Sequence, residues 1–100
     1  METKGNYGIQ GEVRPECLCA QPDWVAPSTD EIRIMLGRAN WSAEEFSRRI
    51  GVDSRTVRRW TLGEKTINYA PWCVLCAQAG EGNIWLNRRL EDSPNPEMLE

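Results

Sequence analysis

One hundred residues, 40% of them hydrophobic and 27% charged, are enough chain for one domain with a modest core and too few for a second. No apolar run approaches the ~18 residues that a bilayer crossing needs, and the polar stretch from Met1 to Gly11 lacks the basic-then-apolar order of a secretory signal. The expectation is a cytoplasmic protein with no membrane partner. The net charge of −3 argues against nucleic acid until it is divided along the chain: residues 38–66 hold seven cations against four acids, a local +3, and the rest holds five against eleven.

Residues 1–27 contain Gly5, Gly8, Gly11, Pro15, Pro22 and Pro27, a density of breakers that predicts an extended or turning N-terminal arm. Tyr7, Ile9 and Val13 suit a short strand or an edge packed on the body, and Trp24 stands where it can anchor the entry to a first helix. Ser28-Thr29-Asp30-Glu31 is a capping box, and Ile32, Met35, Leu36 and Ala39 follow at helical spacing, giving helix to about Arg38. A second capping box, Ser42 to Glu45, is flanked by Trp41 and Phe46 in the positions of a hydrophobic staple, and its helix runs to Ile50. Gly51 stops that helix. Asp53 then caps a third, which carries Val57 and Trp60 inward as far as Gly63. Pro71 suits the first turn of a fourth helix, with Trp72, Leu75, Cys76 and Ala79 inward up to Gly80. Asn83 is placed to cap a short fifth helix bearing Ile84, Trp85, Leu86 and Leu90, and the acidic, proline-broken tail 92–100 is expected to be disordered.

The two helices around Gly51 meet the demands of a helix-turn-helix over residues 42–63. Such a unit needs apolar residues where its helices face each other and the core, and Phe46, Ile50, Val52, Val57 and Trp60 supply them. It needs a residue tolerant of positive φ in the turn, which is Gly51, and a small residue for close approach, which is Ser47. Residues 29–91 accordingly resemble the five-helix domain of phage repressor and Cro-like regulators, the xenobiotic-response-element type. The stretch Gly51-Val52-Asp53-Ser54-Arg55-Thr56-Val57-Arg58-Arg59-Trp60 with Gly63-Glu64 resembles small regulators of phages and conjugative elements. The resemblance implies an all-α, five-helix repressor-like domain over 28–91, behind an arm at 1–27 and ahead of a tail at 92–100.

It also implies a site. Members of that group read bases from the start of the third helix, which maps to Ser54, Arg55, Arg58 and Arg59 here, and a guanidinium suits guanine O6 and N7. At helical spacing Arg55 shares a side with Arg58 and Arg59, so one of that pair is expected to take a phosphate. Thr61 and Lys65 fall where the group touches the DNA backbone, and Ser42 is a further backbone candidate at the start of the second helix. Ala43 departs from the pattern, standing where many of the group have a phosphate-touching glutamine, and Glu44 beside it repels phosphate if it faces DNA. Arg48 and Arg49 either add electrostatic attraction for DNA or, as surface residues of the second helix, pair with Glu44 and Glu45 at i, i+4, the reading favoured here.

Cys17-Leu18-Cys19 and Cys73-Val74-Leu75-Cys76, with no histidine, admit an all-cysteine zinc site or a disulfide switch, but a reducing compartment and an inward Cys76 favour plain thiols, and no metal or cofactor is assigned. Among five tryptophans, Trp60 and Trp72 read as core, Trp41 as staple and Trp24 as anchor. Trp85 is left, and with Leu86 and Leu90 it forms a candidate homodimer patch suited to a two-fold operator. The leading function is a sequence-specific repressor binding an inverted repeat of double-stranded DNA; that it controls its own operon is implied by the resemblance alone. The alternative is a protein-binding adaptor or inhibitor on the same fold, favoured by the acidic flanks. With no histidine base, no phosphate-binding glycine loop and no nucleophile motif, neither an enzyme nor a small-molecule substrate is expected.

Overall fold

Four helices carry the structure, a computed structural model that describes residues 11–87: α1 Thr29–Ala39, α2 Ala43–Ile50, α3 Ser54–Leu62 and α4 Tyr69–Gln78. Single 3-10 turns stand at Pro15–Cys17 and Ile84–Leu86, and no strand forms among the described residues. The expected tail, Tyr7 and Ile9 of the expected strand, and Leu90 lie outside the described residues.

Each helix start follows from its flanking side chains. At α1 the capping box is complete: Ser28 Oγ accepts from the Glu31 amide at 3.2 Å, and Glu31 Oε1 accepts from the Ser28 amide at 2.7 Å. At α2 the expected second box is only half formed. Ser42 Oγ accepts from the Glu45 amide at 3.0 Å, but the Glu45 carboxylate turns away to bind Arg48 and, at 2.6 Å, Arg49 Nε. Two guanidiniums three and four residues ahead outcompete one backbone amide for that carboxylate. Asp53 caps α3 through the Thr56 amide at 3.0 Å and hydroxyl at 2.9 Å, which also holds the Asp53 carboxyl below the usual aspartate range. α4 starts two residues before Pro71. Proline at the third position forfeits nothing, because the first backbone bond of the helix runs from the Trp72 amide to the Asn68 carbonyl at 3.3 Å.

The expected fifth helix is a single 3-10 turn at Ile84–Leu86. Asn87 leaves the helical backbone at φ −88°, ψ 140°, because the arm holds it: its carbonyl accepts from the Ala20 amide at 3.0 Å and its side chain donates to the Leu18 carbonyl at 2.9 Å. Bonds to a neighbouring segment thus replace continuation of the helix.

The core lies between the four helices. Ile32, Met35 and Leu36 of α1, Phe46 of α2, Val57 and Trp60 of α3, and Trp72 and Leu75 of α4 are all buried, joined by Ile67 and Ile84 from the connections. Trp41 stacks on Phe46 at 6.0 Å between ring centroids, the staple that fixes how the chain enters α2. The described part of the arm, 11–27, is packed on this body rather than loose. The Cys17 carbonyl accepts from the indoles of Trp24 at 3.0 Å and Trp72 at 2.6 Å, and Tyr69 donates to the Cys19 carbonyl at 2.9 Å. Trp24 meets Tyr69 edge-on at 4.9 Å, so it anchors the chain ahead of α1 as the sequence indicated. Arg14 grips buried Glu31 with Nε at 2.7 Å and Nη2 at 2.8 Å, and these bonds push the Glu31 carboxyl down to about 2.

Candidate nucleic-acid interface

The arrangement of α2 against α3 is set by the turn between them. Gly51 takes φ +79°, and the amides of Gly51 and Val52 both bond to the Ser47 carbonyl, at 2.9 and 3.1 Å. Ser47 is buried where the helices approach, its hydroxyl donating to the Glu44 carbonyl at 2.7 Å, so no bulk and no unpaired polar atom separates them. Phe46 and Trp60 pack with ring centroids 6.1 Å apart beneath the turn. Gly63, at φ +82°, closes α3 with bonds from its own amide and that of Glu64 back to the last turn. A Cβ there would come within 3.1 Å of Thr29 Cγ2, so the close approach of α1 also favours glycine.

Burying Val57 and Trp60 leaves the opposite side of α3 in solvent. Arg55, Arg58 and Arg59 are exposed there, Ser54 is half-buried at the helix start, and no hydrogen bond or ion pair among the described residues ties up the three guanidiniums. Lys65 is exposed just beyond the helix. Thr61 does not join this set. It is buried, and its hydroxyl donates to the Arg58 carbonyl at 3.0 Å. Ser42 is exposed at the head of α2 with its hydroxyl engaged in the cap. On α2, Arg48 and Arg49 are both held by Glu45 rather than shared with Glu44, and Arg49 also lies 5.8 Å from the Trp41 ring centre. Of these described cations, the ones without an ion pair stand on α3 and just beyond it.

A groove of about 370 Å³ flanks that surface, between Arg33 of α1, the Ser42–Glu44 start of α2, and Arg58, Thr61 and Leu62 of α3. Arg33 Nη2 donates to the Thr61 carbonyl at 3.0 Å. Its position on the groove was not anticipated from the sequence, where Arg33 counts among the cations of an acidic flank.

The four cysteines are buried thiols. Cys17 Sγ lies 3.7 Å from Glu31 Oε1 and Cys19 Sγ 3.4 Å from the Glu16 carbonyl, and no three His, Cys, Asp or Glu side chains among the described residues are placed to hold a metal ion. Burial pushes the Cys17 thiol up to about 12, with Glu31 adding to the rise, and raises Cys73 and Cys76 as well. Trp85 and Leu86 are exposed at the far end of the described chain, 45% and 71% respectively. No helix among the described residues is long and apolar enough to cross a membrane.

Comparison with known proteins finds transcriptional repressors of similar sequence. Two Escherichia coli proteins, each named transcriptional repressor protein KorC, are 41% and 37% identical to the chain over 76 residues, covering 73% of it and 89% of each relative. No family model and no solved structure matches the chain.

Proposed function

The chain belongs to the family of KorC transcriptional repressors, and from that membership we propose that it represses transcription by seating α3 in the major groove of double-stranded DNA. The observation that carries the reading is the outer face of α3, where Arg55, Arg58 and Arg59 stand exposed on a helix whose other side is locked to α2 by a glycine turn and a buried aromatic pair. The α2–turn–α3 unit acts as a helix-turn-helix of the Cro-like type. Ser54, Arg55 and one of Arg58 and Arg59 read base edges, the other arginine meets phosphate, and Lys65 and the head of α2 at Ser42 hold the backbone. Thr61, being buried, serves the fold.

Repression follows from occupancy: the bound protein covers a promoter, with no chemistry and no cofactor, in the cytoplasm where the DNA lies. Two protomers joined through Trp85 and Leu86 would match an inverted repeat, and the gene upstream of which the repeat sits is the chain's own. Selection of bound duplexes from a randomised library tests this. Recovery of an inverted repeat that also occurs upstream of the gene supports the whole reading, whereas recovery of no consensus removes sequence-specific repression.

A further inference from the structure

We propose that Asp53, the cap of α3, also determines sequence preference: its carboxylate selects one cytosine in each half-site by accepting from the N4 amino group in the major groove. The inference rests on the α3 reading and deepens it, adding an acceptor to a face otherwise lined by cationic donors. Asp53 Oδ1 takes both bonds of the cap, from the Thr56 amide at 3.0 Å and the Thr56 hydroxyl at 2.9 Å. Oδ2 is left without a hydrogen bond among the described residues, on an exposed side chain at the head of the helix. Two bonds on one oxygen restrain the carboxylate, so the other oxygen is presented in a set place.

The cap itself does not require a charge. Serine, asparagine and aspartate cap about equally well, and serine does the task at α1 and α2. A carboxylate brought close to DNA phosphates opposes the binding of every duplex. Its presence among exposed Arg55, Arg58 and Arg59 therefore favours those sequences that offer it a donor. The bonds from Thr56, and after them the nearby charges of Arg55 and Arg59, hold the carboxyl below the usual aspartate range, so it meets DNA as an acceptor only. The base edges are then unequal. Guanine N7 and O6 and thymine O4 are acceptors and repel it, and adenine sets its N6 amino group beside the N7 acceptor. Cytosine offers N4 with no acceptor next to it. Arg55, two residues on, suits guanine, so one helix end can read both partners of G·C pairs.

Selection of bound duplexes from a randomised library with the full parent chain, Asp53→Asn and Asp53→Ser, each checked by thermal melting, tests this. Both variants keep a capping oxygen. The parent is expected to favour cytosine at one position per half-site by about tenfold. Asp53→Ser, too short to reach a base, should lose that preference. Asp53→Asn puts an amide donor where Oδ2 stood and should exchange the cytosine for a base that presents an acceptor, with the rest of the site kept in both variants. A weakened cap alone would lower affinity for every sequence alike. Variants that recover the parent's site unchanged at every position, whatever their affinity, would show that Asp53 only caps α3 and would overturn the proposal. Should one variant melt too low to assay, the other decides by the same reading. A parent chain that recovers no consensus overturns the α3 reading itself. Arg55→Ala relaxing a guanine, with both Asp53 variants leaving the site intact, overturns only the role of Asp53.

Discussion

Glu31 ties the arm to the start of α1. Its carboxylate accepts from Arg14 three times, through the backbone amide, Nε and Nη2, and from the Ser28 amide and the Cys17 thiol, while the residue is 5% exposed. The folded carboxyl sits at about 2 against an ordinary value of 4.5. Its contribution to stability is therefore complete above pH 4.5 and is lost as pH falls toward 2. Half-exposed Arg14 lets solvent screen part of the attraction, so Glu31→Gln should cost about 2 kcal/mol at pH 7 and flatten the acid limb of a stability–pH curve. A variant whose denaturation at pH 7 and pH 3 parallels the parent would remove Glu31 from this role. The capping half of its task was legible in the motif Ser28 to Glu31; the Arg14 half was not, because a contact across 17 residues leaves no local pattern.

The thiols are a second matter at the same scale. Burial raises Cys17, Cys73 and Cys76 and so suppresses the reactive thiolate. With a thiol-specific chromogenic reagent at pH 8, these groups should react only as fast as the native fold opens, and at once in denaturant. Rapid labelling of the native chain at Cys17 or Cys76 would contradict the packing of the arm on α4.

Among the elements, helix bounds with local determinants are legible in the sequence. Caps, staple and glycine turns placed α1, α2 and α3 within a residue or two, since each rests on side chains within four positions of the helix end. The fifth helix failed for the opposite reason: Asn83 and an apolar triplet promised a helix, but two bonds from Asn87 to the arm draw the chain out. The half-formed box at α2 failed to a local rival, Arg48 and Arg49, which the sequence did show but which the capping motif alone ignores. Gly51 carries the turn through its φ of +79°, and no atom stands within 4 Å of a Cβ built there. Gly51→Ala should thus cost about 1 kcal/mol from backbone strain alone, with the helices still paired. Urea denaturation measures it, and an undiminished midpoint would mean that the turn does not need the left-handed residue.

For the whole molecule, division of charge was the informative sequence signal. The acidic total conceals a cationic stretch, and the fold turns that stretch outward on α3 while Glu45 pairs with its two α2 members. The place of Arg33 is invisible to a charge count along the chain, because the groove assembles three helices. Near the end of the described chain, Trp85 and Leu86 are large apolar side chains in solvent, and pairing of two chains through them would double the cationic surface offered to DNA. If the proposed dimer forms through this pair, replacing both by serine should shift sedimentation from dimer to monomer and weaken operator binding; a parent chain that sediments as a monomer, or a dimer that survives the change, would remove this face from the account.

The most direct measurement of the central claim is fluorescence anisotropy of the chain's own upstream duplex, titrated with the parent protein and with Arg55→Ala combined with Arg58→Ala across a range of salt. DNA reading by α3 predicts tight parent binding that falls with log salt at a slope of about −4 or steeper, and loss of sequence preference in the double variant. Equal affinity and equal slope for the two proteins, or no parent binding at low salt, would contradict it.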